Sequence, residues 1–183
     1  MAVHSSQVPL GTPLPNQTLP DLANVLHNTL DLRGAGVLVV VFSCNHCPYV
    51  RHIEAELGQV ATDYATSAVT FVAICSNDAT EYPDDDIPGL SAQAERAAWN
   101  FPYLVDTDQF VAREFGAVCT PDFFVYDING KLGYRGAFDE SSPGNGLPVS
   151  GANLRAALDL LLATAPVPEP QRPSMGCSIK WRN

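Results

Sequence analysis

Cys44 and Cys47 enclose Asn45 and His46 and are followed at once by Pro48. Two thiols about one helical turn apart can carry disulfide exchange. One attacks as thiolate, and the other then attacks the mixed disulfide and releases the reduced partner. His46 could stabilise a thiolate, as imidazolium or through its N–H, or it could simply face solvent. The same residues could form half of a zinc site with His46 or Cys177. No second cysteine pair at ligand spacing accompanies them, so no metal is expected.

The elements around the pair give the spacing its meaning. Residues 37–42 form an unbroken apolar run rich in valine, the pattern of a strand buried on both faces of a parallel sheet. Val50, Ile53, Leu57, Val60, Ala61 and Tyr64 then mark one helical stripe, and Pro48 suits its first turn. The pair therefore sits at a strand-to-helix junction. Unsatisfied N–H groups and the positive end of the helix dipole favour a thiolate there. That junction is a poor place for two merely packed core cysteines.

Further along, residues 69–74 read as a second buried strand, and 75–90, with Asp84, Asp85 and Asp86, as a long solvated acidic loop. Helices are expected over 91–99 and over 107–115, the latter capped by Asp106 and stopped by Gly116. Asn129-Gly130 predicts a two-residue hairpin turn between strands at 123–128 and 131–135. A last helix carries Leu154, Ala157, Leu158, Leu161 and Leu162, with Ser150 as cap. A short hairpin within 22–32 is a weaker expectation. The expected fold class is α/β: a central mixed sheet flanked by helices on both faces. The expected organisation is an extended lead-in over 1–20, one domain over 21–163, and a proline-rich tail over 164–183 that carries Cys177.

At 183 residues the chain suits one well-cored domain. Its net charge of -10 argues against nucleic acid or an anionic membrane as partner. Neither a signal peptide nor an apolar span is legible, so a cytoplasmic location is expected. In a reducing compartment five cysteines fit reactive or buried thiols better than a static disulfide framework.

From about residue 19 to residue 162 the chain resembles the thioredoxin superfamily, and more closely its peroxiredoxin-like branch of alkyl hydroperoxide reductase and thiol-specific antioxidant relatives. The residues that carry the resemblance are Phe42-Ser43-Cys44-Asn45-His46-Cys47-Pro48, Thr120-Pro121 ahead of Phe123, and Asp127-Ile128-Asn129-Gly130. The ending Gly176-Cys177-Ser178-Ile179-Lys180-Trp181 is similar to that of uncharacterised peroxiredoxin-like proteins. The resemblance implies a thioredoxin-like fold, a cis Pro121 packed against the redox pair, and backbone before it free to pair with a bound peptide. It also places the peroxide-reactive cysteine of peroxiredoxins at Cys47. The threonine and arginine that activate peroxide there correspond to Cys44 and Thr120 in this chain. Thioredoxin's tryptophan before the pair is replaced by Ser43, and its buried aspartate by apolar strand, so proton transfer falls to water, His46 or another group.

The leading expectation is thus a thiol–disulfide oxidoreductase with Cys44 attacking, Cys47 resolving, and His46, Thr120 and Pro121 in support. The alternatives are a thiol peroxidase using Cys47 and a non-enzymatic redox-sensing module. Protein or small-molecule thiols and disulfides, and an electron donor not identified by the sequence, would be the partners; no cofactor is implied. About 15 extended tail residues could span about 50 Å, so Cys177 can reach the pair as a third redox cysteine. A tail packed down by Ile179 and Trp181, with Cys177 passive, is the preferred reading. Cys75 reads as a core residue, and Arg135 and Asp139 as surface residues.

Overall fold

The computed structural model describes residues 2–182. Its centre is a five-stranded sheet. In chain order the elements are β1 (Ala2–His4), β2 (Thr18–Pro20), β3 (Leu26–Asn28), α1 (Thr29–Arg33), β4 (Val37–Phe42), α2 (Pro48–Asp63), β5 (Val69–Cys75), a 3-10 turn (Pro83–Asp85), α3 (Ile87–Arg96), β6 (Tyr103–Val105), α4 (Phe110–Phe115), β7 (Cys119–Thr120), β8 (Asp122–Tyr126), β9 (Leu132–Gly136), α5 (Ala152–Leu162) and β10 (Met175–Ser178). The sheet order is β6-β5-β4-β8-β9. β4 runs parallel to β5 and antiparallel to β8, so the sheet is mixed, as expected.

Strand β4 shows why a continuous apolar run was needed. Successive side chains of a strand point to opposite faces. Val37, Val39 and Val41 pack with Ile53 and Leu57 of α2 and Leu154 and Leu158 of α5. Leu38, Val40 and Phe42 pack on the other face with Val111 and Phe115 of α4. Phe42, Phe115 and Phe124 meet edge to face, with ring centroids 5.5–5.9 Å apart. Such pairs add about 0.5–1.5 kcal/mol beyond burial itself. Helices cover both faces, and the redox pair lies where β4 hands over to α2.

Several local expectations are corrected, each by a side chain that competes for turn backbone. The early hairpin is β2–β3, slightly earlier than 22–32, because the Asp21 carboxylate accepts from the Ala23 and Val25 N–H groups. α3 starts at Ile87 rather than 91, because Asp86 caps it by accepting from Gly89 N at 2.7 Å. α4 starts only at Phe110, with Asp106 accepting from Val111 N and Ala112 N one turn further in. The Asn129-Gly130 turn is a wider connection over 127–131, in which Asp127 accepts from Asn129 N and Lys131 N. Gly151, not Ser150, precedes α5, and Asp139 accepts from the N–H groups of both. Asp139 and Arg135 are buried structural groups rather than surface ones. The short strand β6 carried too few residues to show in the sequence.

The two chain ends are part of the fold. β10 lies between β1 and β7 in a small antiparallel sheet, with Cys177 paired to Thr120 and to Ala2. This brings the end of the tail to the beginning of β8, beside the redox pair.

Candidate active site

Four segments meet at the site: the β4–α2 junction, the acidic turn, the residues before β8, and β10. Cys47 is the residue capping α2, with Pro48 opening the helix. Cys44 and Cys47 are both 0% exposed. Thr120 touches both sulfurs: its Oγ1 is 3.3 Å from Cys44 Sγ, and its carbonyl is 3.1 Å from Cys47 Sγ. The Thr120–Pro121 peptide is cis.

The two thiols differ sharply in their electrostatics. Hydrogen bonding from Cys44 holds the Cys47 thiol down at about 4 against its own burial, and Cys177 and the Val50 backbone N–H add to the effect. As a thiol, Cys47 donates to the Thr120 carbonyl; as a thiolate it exchanges that bond for these donors. Cys44 is pushed well up, first by its hydrogen bond to Cys47, then by burial and by the negative charge of Asp85. The two thiols titrate as one pair, and the donors around Cys47 favour the charge there. Burial first of all raises the remaining thiols, with Cys75 at about 12 and Cys177 at about 11. Cys119 is raised too, by burial and then by Asp122.

Asp85 is the residue that sequence reasoning missed. The run of three aspartates predicts a solvated loop, but the Asp85 side chain is 0% exposed. Its carboxylate accepts from Asn45 N at 2.8 Å, His46 N at 3.1 Å, His46 Nδ1 at 2.6 Å and Asn77 Nδ2 at 2.8 Å. Burial pushes this carboxyl up, but the bonds from His46 and Asn77 outweigh burial and hold it below the ordinary range. The His46 Nδ1 proton is thus committed to Asp85 rather than to a sulfur, and the ring stacks on Tyr82. Asn45 is held further by Arg51 and Arg96, whose guanidinium groups donate to its carbonyl and side-chain oxygens. A glutamine and a glutamate supply a second polar layer, with Gln93 Nε2 donating to the Cys44 carbonyl and to Glu54. Donor atoms of Cys44, His46 and Asp85 lie within 4.8 Å of one another and are the groups that could hold a cation.

Asp122, directly after Pro121, is also buried. Its Oδ2 accepts from Val118 N at 3.4 Å and its Oδ1 has no protein partner. Burial pushes its carboxyl up to about 8. The folded protein therefore binds this proton more tightly than the unfolded chain, and stability falls as pH rises from about 4 towards 8. Asp122→Asn is expected to match the wild type below that window and to melt higher above pH 8. Thermal melts across the pH range check this; equal loss of stability with rising pH in both proteins would contradict it.

The structure brings Cys44, His46, Cys47, Thr120, Pro121 and Cys177 into one neighbourhood. A shallow cleft beside them is lined by residues including Tyr49, His52, Pro121, Phe138 and Met175 and has no cysteine on its wall. β10 covers the pair from the side of Thr120.

A mixed sheet of this order, with a two-cysteine motif opening the first long helix and a cis-proline before β8, defines a thioredoxin-fold protein. The chain belongs to the AhpC/TSA family, whose model matches residues 10–135. It is similar over 100% of its length to 97% of an uncharacterized conserved protein from Geobacillus kaustophilus, at 46% identity and a TM-score of 0.96. A hypothetical protein from Sinorhizobium meliloti 1021 shares 42% identity over 98% of both chains, with a TM-score of 0.95. A thiol:disulfide interchange protein of the thioredoxin family from Chlorobium tepidum TLS shares the fold at 20% identity, covering 86% of this chain and 99% of its own, with a TM-score of 0.64. No curated protein matches the sequence. Family membership and the cysteine cluster together support thiol redox activity in general.

Proposed function

We propose that the protein is a thiol–disulfide oxidoreductase in which Cys47 attacks and Cys44 resolves. This reverses the roles expected from sequence. The observation that carries it is the asymmetry of the pair: Cys47 has the helix start and converging donors, whereas Cys44 faces the Asp85 carboxylate. Cys47 attacks one sulfur of a partner disulfide and expels the other as thiolate. Cys44 then attacks Cys47 and releases the second partner thiol, leaving a Cys44–Cys47 disulfide and a partner reduced by two electrons. Protein or small-molecule disulfides are the substrate class. Peroxide as oxidant has less support, because Arg51 and Arg96 are spent on Asn45 and Glu54 rather than on Cys47.

The ultraviolet absorbance of the thiolate, followed against pH, tests the assignment. The reduced wild type is expected to show one thiolate per chain by about pH 6. Cys47→Ser should abolish that signal, and Cys44→Ala should shift it to higher pH through loss of the donor. A low-pH thiolate that survives Cys47→Ser would hand the role back to Cys44.

A further inference from the structure

The backbone ahead of Pro121, where the resemblance implies room for a bound peptide, is already taken. Cys177 pairs in register with Thr120 and Ser178 with Cys119, and the Thr120 carbonyl lies 3.1 Å from Cys47 Sγ. β10 gives its other edge to β1, with Ala2 opposite Cys177 and Val3 opposite Gly176. A peptide adds to a sheet only where an edge leaves N–H and C=O groups unpaired. Among the described residues, both edges of the strand beside the Cys47 sulfur are used. The fit is close: a Cβ on Gly176 would overlap the Thr120 carbonyl oxygen, so glycine is what lets β10 lie there. Both ends of the strand are anchored. Ahead of it, Ser174 Oγ donates to the Gly136 carbonyl, and Ser174 N donates to Ser5 Oγ while Ser5 N donates back to the Ser174 carbonyl. Behind it, Ile179 is buried and its N–H donates to the Val118 carbonyl. Gln109 then grips the chain twice, with Nε2 donating to the Lys180 carbonyl and Oε1 accepting from Arg182 N, each at 2.8 Å.

We propose, resting on Cys47 as the attacking sulfur, that β10 is a built-in substrate filter and that the substrates are low-molecular-weight disulfides rather than extended peptide chains. With the strand in place Cys44 and Cys47 are 0% exposed. Cys177 is partly exposed and rests its thiol against the Cys47 sulfur. Rotation of that one side chain opens a slot to Cys47 while the backbone of β10 stays paired. A disulfide that carries only small groups passes such a slot. A cystine within an extended chain brings backbone on both sides of its sulfur, and that backbone meets residues 175–178. The bond changes are those proposed above. The Cys47 thiolate attacks one sulfur of the small disulfide, and the other sulfur leaves as a thiolate and takes up a proton. Cys44 then loses its proton and attacks Cys47, which releases the second small thiol and leaves the Cys44–Cys47 disulfide. Cys177 forms no bond in this sequence; its strand decides what reaches Cys47.

Two disulfides of the same chemistry test the filter. One is the disulfide of N-acetylcysteine amide, and the other that of an extended peptide blocked at both ends with one central cysteine. The reduced protein is mixed with each in a single turnover, quenched in acid, and followed by mass for the Cys44–Cys47 bond. Each rate is divided by that of dithiothreitol with the same disulfide. The wild type is expected to favour the small disulfide by about tenfold or more. Gly176→Ala pushes β10 off Thr120, and Gln109→Ala frees the chain behind it. Both should bring the two rates to within about threefold of each other, and any change in the Cys47 sulfur itself cancels in that ratio. Melting curves confirm that each variant is folded. Equal rates in the wild type, or an unchanged preference in both folded variants, would overturn the filter. A wild type in which the small disulfide yields no Cys44–Cys47 bond would instead overturn the reading beneath it.

Discussion

Cys47→Ser is expected to abolish disulfide reduction, with a fall of roughly a thousandfold or more, as for loss of any nucleophile. The hydroxyl left behind occupies nearly the same volume, so the core around Val50 and Phe123 should hold and the melting temperature should change little. The loss would thus be chemical. Cys44→Ala has a different signature. Cys47 can still attack, but without the Cys44 thiol it loses its strongest hydrogen bond and its resolving partner. A partner disulfide should therefore remain attached to Cys47 for longer, and the attack should become more dependent on pH. Insulin reduction with a chemical reductant present measures turnover, and intact mass measures the trapped species. Full turnover by Cys47→Ser would sink the assignment of the nucleophile.

The fold was legible because its cues are local and redundant. An unbroken Val37–Phe42 strand, the α2 stripe and Thr120-Pro121 each need only a few neighbouring residues to be recognised. The place of the two cysteines at the β4–α2 junction was legible for the same reason. Which of the two sulfurs we propose as nucleophile was not, because that rests on the hydrogen bond between them, on burial and on Asp85, some 40 positions away along the chain. A run of three aspartates ordinarily signals solvation. Here Asp86 becomes a helix cap, and Asp85 turns inward from the 3-10 turn that Pro83 opens. The role of the tail was hidden similarly. Proline spacing showed an extended segment, whereas its return to pair with Thr120 rests on Ile179, Asn77 and Gly176 in three separate places.

Asp85→Asn should be the most damaging substitution outside the cysteines. The carboxylate accepts four N–H bonds and an amide cannot. Its NH₂ group must face either the Asn45 and His46 backbone donors or the pair formed by His46 Nδ1 and Asn77 Nδ2. His46 could change tautomer, but Asn77 is fixed by the Lys180 N–H on its oxygen. Loss of charge-assisted bonds and one opposed pair of donors should cost roughly 2–4 kcal/mol, read from denaturant unfolding. The pH dependence separates this from an ordinary loss of packing. A carboxyl whose folded value is depressed contributes fully above its unfolded value, near 3.9, and loses that contribution as pH falls through the folded value. The acid limb of the stability curve should therefore be flatter in Asp85→Asn. Chemistry should shift as well. Asp85 is one of the charges that raise Cys44, so in a Cys47→Ser background the Cys44 thiolate should form at lower pH once Asp85 is neutral. Unchanged stability together with an unchanged Cys44 titration would show that the buried carboxylate neither holds the Asn45-His46 turn nor sets which sulfur is charged.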